Sequence, residues 1–232
     1  MEGNHFKIEK IAKIIETKET DELEGCLKKL ELTFESIGGG NNADVSIAKG
    51  TPFEKICFKK TKKNPLIKCN DINEEHKFQM KVRKLGVRTP FTLMSTETNE
   101  KEEYLVMEKI NGCTVKEAID NPALLPKNFN YKIFIDDLND QILKMHNKNG
   151  VGDGVYHRDL HQGNVMINQD GLAVIIDFGT AIEGSGSDLT YEEEVSMYNE
   201  QKGRYELVSD YFKDDLRMFE EIKNTLKVYM KE

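Results

Sequence analysis

Residues 156–168 read YHRDLHQGNVMIN: two histidines four apart, an aspartate between them, and a Gly-Asn pair ahead of a short apolar run. Two chemistries compete for this stretch. The His157–His161 spacing is that of two zinc ligands on one helical face, a pattern that needs a further ligand and, for hydrolysis, a glutamate after the first histidine. Here arginine follows His157, no Cys or His cluster lies nearby, and Gly163 argues against a helix running through. The alternative turns on Asp159 and Asn164, whose side-chain oxygens suit a hydroxyl proton and a hard cation such as Mg2+.

Thirteen residues after Asn164 stands Asp177, in LAVIIDFG (172–179), an apolar strand that stops at Asp-Phe-Gly. Gly179 permits a sharp turn that presents the carboxylate. Asp159 then orients a hydroxyl or accepts its proton, while Asn164 and Asp177 are oxygen ligands for a metal. These are parts that phosphoryl transfer requires. On either side the spacing predicts helices. Residues 130–150 carry Ile135, Leu138, Ile142 and Met145 on one face with Gly150 as the stop, and a charged segment surrounds DDLRMFEEIKNTLKVYM near the end.

The first half has a different period. ELTFESI (31–37), DVSIA (44–48) and EKICFKK (54–60) read as strands, with two more near 91–95 and 104–107. Between the first two strands, Gly38-Gly39-Gly40 lets backbone N–H groups approach phosphate oxygens, although three glycines equally make a plain turn. Cys57 and Lys59 point to one face of their strand and Lys60 to the other. A helix from Asn70 or Asp71 to Leu85 puts Glu75 in line with Val82 and Leu85, where a carboxylate calls for a cation such as Lys59; Glu74 is the adjacent competitor. Residues 1–30 read as a helical extension. The chain is thus expected to be α+β, with a β-rich lobe over 31–109 and a helical lobe over 110–232.

HRDLHQGN followed by IIDFG, with Lys59 and Glu75 upstream, resembles the eukaryotic-like protein kinase superfamily from about Leu32 to Leu226. The resemblance implies a two-lobed kinase-like fold using ATP and Mg2+ to phosphorylate Ser or Thr hydroxyls of a protein substrate. It implies that Lys59 pairs with phosphates and Glu75 holds Lys59. Asp159 becomes the catalytic base, and Asn164 and Asp177 the metal ligands. Gly38, Gly39, Gly40, Val45 and Cys57 would surround the nucleotide, with Met107 as gatekeeper and Glu108–Ile110 as the adenine-binding hinge. Asp215, in KDDLRMF, resembles the acidic anchor of the catalytic loop. His161 stands where serine/threonine kinases usually carry a lysine, so it is expected to supply positive charge beside the transferred phosphate.

Other features depart from that pattern. Only 53 residues follow Gly179 and none reads Ala-Pro-Glu, so a truncated lower lobe is expected. In this the chain is similar to the short secretion-system effector kinases of enteric pathogens (the OspG and NleH type). That implies an effector secreted into a host cytosol, with an activating partner such as a ubiquitin-loaded conjugating enzyme. DLHxGN is also similar to the loop of aminoglycoside and choline phosphotransferases, so a small-molecule phosphotransferase stays open, as does a nucleotide-binding module without turnover. Thr190 and Tyr191 can be phosphorylated, yet Glu192–Glu194 already supply negative charge nearby, so neutralisation of Arg158 is expected to come from an acidic residue or a partner.

Composition sets the outer bounds. A net charge of −8 argues against a nucleic-acid surface, and no run of about 18 apolar residues suggests a membrane span. The N-terminal residues are too polar and acidic for a signal peptide. Four cysteines without a CxxC pair read as reduced thiols in a cytoplasmic protein.

Overall fold

Short runs of β-branched, aromatic and aliphatic residues in the first half of the chain pair into one antiparallel sheet. The computed structural model describes residues 34–39, 43–48, 56–61, 71–97, 103–147, 153–185 and 206–229. The helical extension expected over 1–30, Gly40, and the Thr190–Glu194 segment lie outside the described residues. Contacts divide the chain into two compact units: the described residues up to His76 with Phe91–Lys109, and Lys77–Pro90 with the described residues from Ile110 onward.

The first unit holds β1 (Phe34–Gly39), β2 (Ala43–Ala48), β3 (Ile56–Thr61), β4 (Thr92–Glu97) and β5 (Glu103–Glu108), in the order β1-β2-β3-β5-β4. β3 lies in the middle. Val45 and Leu105 flank Lys59, and Ile47 and Met107 flank Cys57. Residues directly opposite share a face, so all six side chains stand on one side of the sheet. Cys57, Phe58 and Lys59 are all buried, which means both faces of β3 are covered. The expected first strand ended at Ile37; β1 instead runs through Gly38 and Gly39, with an irregularity between Ser36 and Gly38. A bulge accommodates glycine where a regular strand would be weakened by it.

Helix α1 (Ile72–Lys84) starts at Asp71, whose Oδ1 accepts from Glu74 N at 2.8 Å. Glu74 and Glu75 in its first turn and Lys81, Arg83 and Lys84 in its last suit the helix dipole.

The second unit is built around α3 (Tyr131–Met145), capped by Asn130. Its Phe134, Leu138, Ile142 and Met145 are fully buried against β8 (Val165–Asn168), β9 (Ala173–Ile175) and α4 (Glu206–Tyr229), in one cluster with Val165, Ile167, Ile175, Ile222 and Leu226. β6 (Gly112–Thr114) joins β8 and β9, and β7 (Asp153–Tyr156) pairs with β10 (Ile182–Ser185). Directly after β6 comes α2 (Val115–Asp120), a six-residue helix opened by a Thr114–Glu117 capping box, and Cys113 of β6 joins its Val115 and Ala118 in the core. Arg88 ties three parts together: its Nη1 donates to Asp137 Oδ2 at 2.8 Å and to Ala173 O at 2.7 Å, and its backbone N to Gln141 Oε1 at 2.6 Å. The expected helix stop at Gly150 comes earlier. α3 ends at His146 and Asn147, the latter at φ +50, a left-handed conformation that asparagine tolerates well. Among the described residues no helix is long and apolar enough to cross a membrane.

Burial in the sheet also sets a reactivity. It pushes the Cys57 thiol up to about 12 from the ordinary 9.0, because the thiolate is the form that loses solvation. At about pH 8 the native thiolate fraction is therefore about a thousandfold below that of the unfolded chain. Iodoacetamide followed by peptide mapping should label Cys57 only after denaturation. Labelling at equal rates in both states would contradict the packing around β3.

Candidate active site

In the first unit the chemistry centres on one ion pair. Lys59 Nζ lies 2.7 Å from both carboxylate oxygens of Glu75, with the two side chains only 7% and 4% exposed. Glu74, its neighbour, is exposed. Removing two charges from water is expensive unless each completes the other, and the two-oxygen contact does so. Val45, Cys57 and Met107 stand on the same sheet face as Lys59. Val45 and Met107 are half-buried, and Cys57 donates to Glu108 O at 3.7 Å. Gly38 is exposed, with nothing within 4 Å of where a Cβ would stand. Glu108 is exposed at the end of β5, and Ile110 is half-buried at the start of the second unit.

The second unit holds the 157–164 loop between β7 and β8. Its anchor is Asp215 of α4, fully buried, whose Oδ2 accepts from His157 N at 2.8 Å and whose Oδ1 accepts from Arg158 N at 2.9 Å. His146 Nε2 lies 3.0 Å from the same Oδ2. These bonds help hold Arg158 at φ +68, a left-handed conformation that costs of order 1–3 kcal/mol outside glycine. His157 is fully buried. Its Nε2 donates to Ile176 O at 2.9 Å, its Nδ1 accepts from Asp159 N at 3.4 Å, and its ring packs 4.9 Å from that of Phe178. Both ring nitrogens are thus engaged, which removes His157 as a zinc ligand. Among the described residues no cluster of three or more His, Cys, Asp or Glu could hold a metal.

Asp159 leaves its carboxylate half-exposed while its carbonyl accepts from His161 N at 2.9 Å and Asn164 Nδ2 at 2.8 Å. That second bond orients the amide of buried Asn164: the NH2 turns onto the loop, and Oδ1 takes no hydrogen bond among the described residues. Asn164 O in turn accepts from Ile176 N at 3.0 Å, which ties the loop to the residue before Asp177. Asp177 is also left-handed, at φ +64, and its Oδ1 accepts from Gly179 N at 3.2 Å. An amide oxygen and a carboxylate form a hard-oxygen donor set suited to Mg2+. His161 is exposed, with Nδ1 accepting from Gly163 N at 2.9 Å and Nε2 3.8 Å from Asp159 Oδ2.

The protein kinase domain family matches residues 32–200. The chain belongs to the protein kinase family. This kinase is 28% identical, over 80% of its chain, to a probable serine/threonine-protein kinase, mkcE, of Dictyostelium discoideum, covering 23% of that protein. It is 29% identical over 44% of its chain to a probable serine/threonine-protein kinase, PknB, of Bifidobacterium longum, covering 15% of it. It is 28% identical over 62% of its chain to CBL-interacting serine/threonine-protein kinase 16 of Arabidopsis thaliana, covering 30% of it. The kinase therefore spans less than a third of the length of these relatives.

Sequence reasoning passed over His146, whose bond to Asp215 helps set the loop of this kinase. The available signal was its place four residues after Ile142 and eight after Leu138, on the apolar stripe of α3. Thr180 was missed too; its Oγ1 donates to His157 O at 3.0 Å.

The buried ion pair makes a separable prediction. Lys59→Met leaves Glu75 buried without its cation and should destabilise the kinase by about 3–5 kcal/mol. Adding Glu75→Leu should recover most of that loss without restoring activity. Chemical denaturation of the three proteins measures the first effect and nucleotide turnover the second.

Proposed function

We propose that this kinase transfers the γ-phosphoryl group of ATP to serine or threonine hydroxyls of proteins, with Mg2+. The observation that carries the reading is the Asp159 carboxylate, half-exposed on a loop pinned by buried Asp215, beside an Asn164 amide whose NH2 is turned onto the Asp159 carbonyl. The serine/threonine kinases among the relatives support the substrate class.

In this reading Lys59 binds phosphate oxygens, and Glu75 holds its ammonium in place without needing rearrangement. Gly38, with open space where a Cβ would stand, leaves room over the phosphates, and the resemblance assigns Gly39 and Gly40 to the same phosphate-covering turn. Val45, Cys57 and Met107 offer an apolar face to the adenine, with Glu108 and Ile110 as the hinge. Asn164 Oδ1 and Asp177 would hold Mg2+, which when bound neutralises charge on the transferring group. Asp159 accepts a hydrogen bond from the attacking hydroxyl, sets its direction and takes its proton. Most of the rate gain then comes from positioning and charge, with little covalent work by the protein.

Activation by a second protein, such as a ubiquitin-loaded conjugating enzyme, and action in a host cytosol belong to the same proposal. They rest on the resemblance to short effector kinases. A rise in rate on adding the conjugate would support them.

Labelled ATP with Mg2+, offered with mixed protein substrates and separately with small alcohols, tests the main reading. Label should reach protein and be lost in Asp177→Ala. Asp159→Asn should lower turnover by about 10²–10⁴ while ATP affinity holds. Transfer to small alcohols alone would replace the protein substrate with a small molecule, and an unchanged rate in Asp159→Asn would remove the base.

A further inference from the structure

His157 and His161 sit four residues apart and make the same local turn. Each accepts, through Nδ1, the backbone N–H two residues on: His157 from Asp159 at 3.4 Å, His161 from Gly163 at 2.9 Å. A ring nitrogen that accepts an N–H carries no proton, so the single ring hydrogen lies on Nε2 in both. Their fates then separate. In His157 that hydrogen goes to Ile176 O at 2.9 Å in the buried core of the loop. In His161 the ring is 46% exposed and Nε2 faces Asp159 Oδ2 at 3.8 Å, beyond hydrogen-bond range.

Gly163 sets the ring of His161 in place from the other side. A Cβ on residue 163 would stand 2.8 Å from His161 Cε1 and 3.0 Å from Nδ1, closer than real side chains pack. The imidazole therefore rests directly on the Gly163 backbone, with its orientation defined by one hydrogen bond and one close contact. A lysine could not accept the Gly163 N–H. The cationic role expected from the position does not follow from this geometry.

We propose that His161 acts through Nε2 as a hydrogen-bond donor to the attacking hydroxyl, forming with Asp159 a donor–acceptor pair that seats one oxygen. The inference deepens the proposed kinase function and rests on it. An oxygen about 2.8–3.0 Å from both His161 Nε2 and Asp159 Oδ2 closes the 3.8 Å gap. A hydroxyl is the group that can accept from one and donate to the other at the same time. His161 fixes where the oxygen sits, and Asp159 takes the proton. As the hydroxyl oxygen bonds to the γ-phosphorus, its proton passes to Asp159. The bond from that phosphorus to the β–γ bridging oxygen breaks, and its electron pair leaves with ADP.

The test uses the different reach of two amides. The Nε2 of glutamine falls near the imidazole Nε2, whereas the Nδ2 of asparagine falls near Nδ1. His161→Gln should keep kcat/KM for the protein substrate within about threefold. His161→Asn and His161→Ala should lose about ten- to a hundredfold, with KM for ATP unchanged. Gly163→Ala, which displaces the ring while leaving the imidazole present, should lose a similar factor. Long-range proton–nitrogen spectra of the 15N-histidine-labelled protein should show His161 protonated on Nε2 alone. A His161→Lys rate at or above wild type with an inactive His161→Gln would overturn the inference in favour of a cation, and so would an Nδ1-protonated ring. The spectra read the ring whether or not phosphate is transferred. Inactive wild-type protein would therefore overturn the kinase reading itself, and with it the seat for the hydroxyl, while the tautomer stood.

Discussion

A carboxylate with no exposure at all, Asp215, is the point on which the loop of the second unit depends. Burying an ionised carboxylate is tolerable only when its oxygens are satisfied, and here two backbone N–H groups and a histidine ring supply the partners. Because those N–H groups belong to consecutive residues, His157 and Arg158, the carboxylate fixes the path of the backbone as well as its position. The loop then has little freedom: His157 packs on Phe178, Arg158 turns left-handed, and Asp159 emerges from the interior with its carboxylate exposed. The carboxylate is supplied from far along the chain, on α4, and its own helix is held by Ile222 and Leu226 in the core.

The first unit solves a related problem by register. Lys59 occupies the middle strand of a five-stranded sheet, where a lone ammonium would be poorly solvated, and Glu75 from the first turn of α1 meets it with both oxygens. The same register lines up Val45, Cys57 and Met107 on that face. Lys59 and an apolar row are thereby placed by strand pairing, and α1 brings Glu75 to the lysine.

Much of this could be read before the structure was known. The Lys59–Glu75 contact follows from two periodicities: a strand alternation that turns Lys59 to one face, and a helical stripe that separates Glu75 from Glu74. The long helices carried their own spacing and caps. Strands of three or four residues, such as β6, β9 and β10, carry too few positions to show a period. The Thr114–Glu117 capping box was in plain view, but the helix it opens is only six residues long. Gly38 and Gly39 looked like a loop because glycine usually leaves strands, and the irregularity in β1 reverses that expectation. His146 was hidden because its partner lies 69 residues away. The proton position on His161 could not be read from residue types, since it depends on a backbone N–H two residues downstream.

The left-handed backbone at Arg158 and Asp177 has a consequence for how this chain tolerates change. Both positions would relax with glycine, yet a glycine at Asp177 would remove its carboxylate from the site. Under the proposed function, the Asp177 carboxylate is therefore held at the expense of local stability. Improving stability there and keeping activity are opposed aims, and thermostable variants would have to be sought among core and surface residues away from this loop.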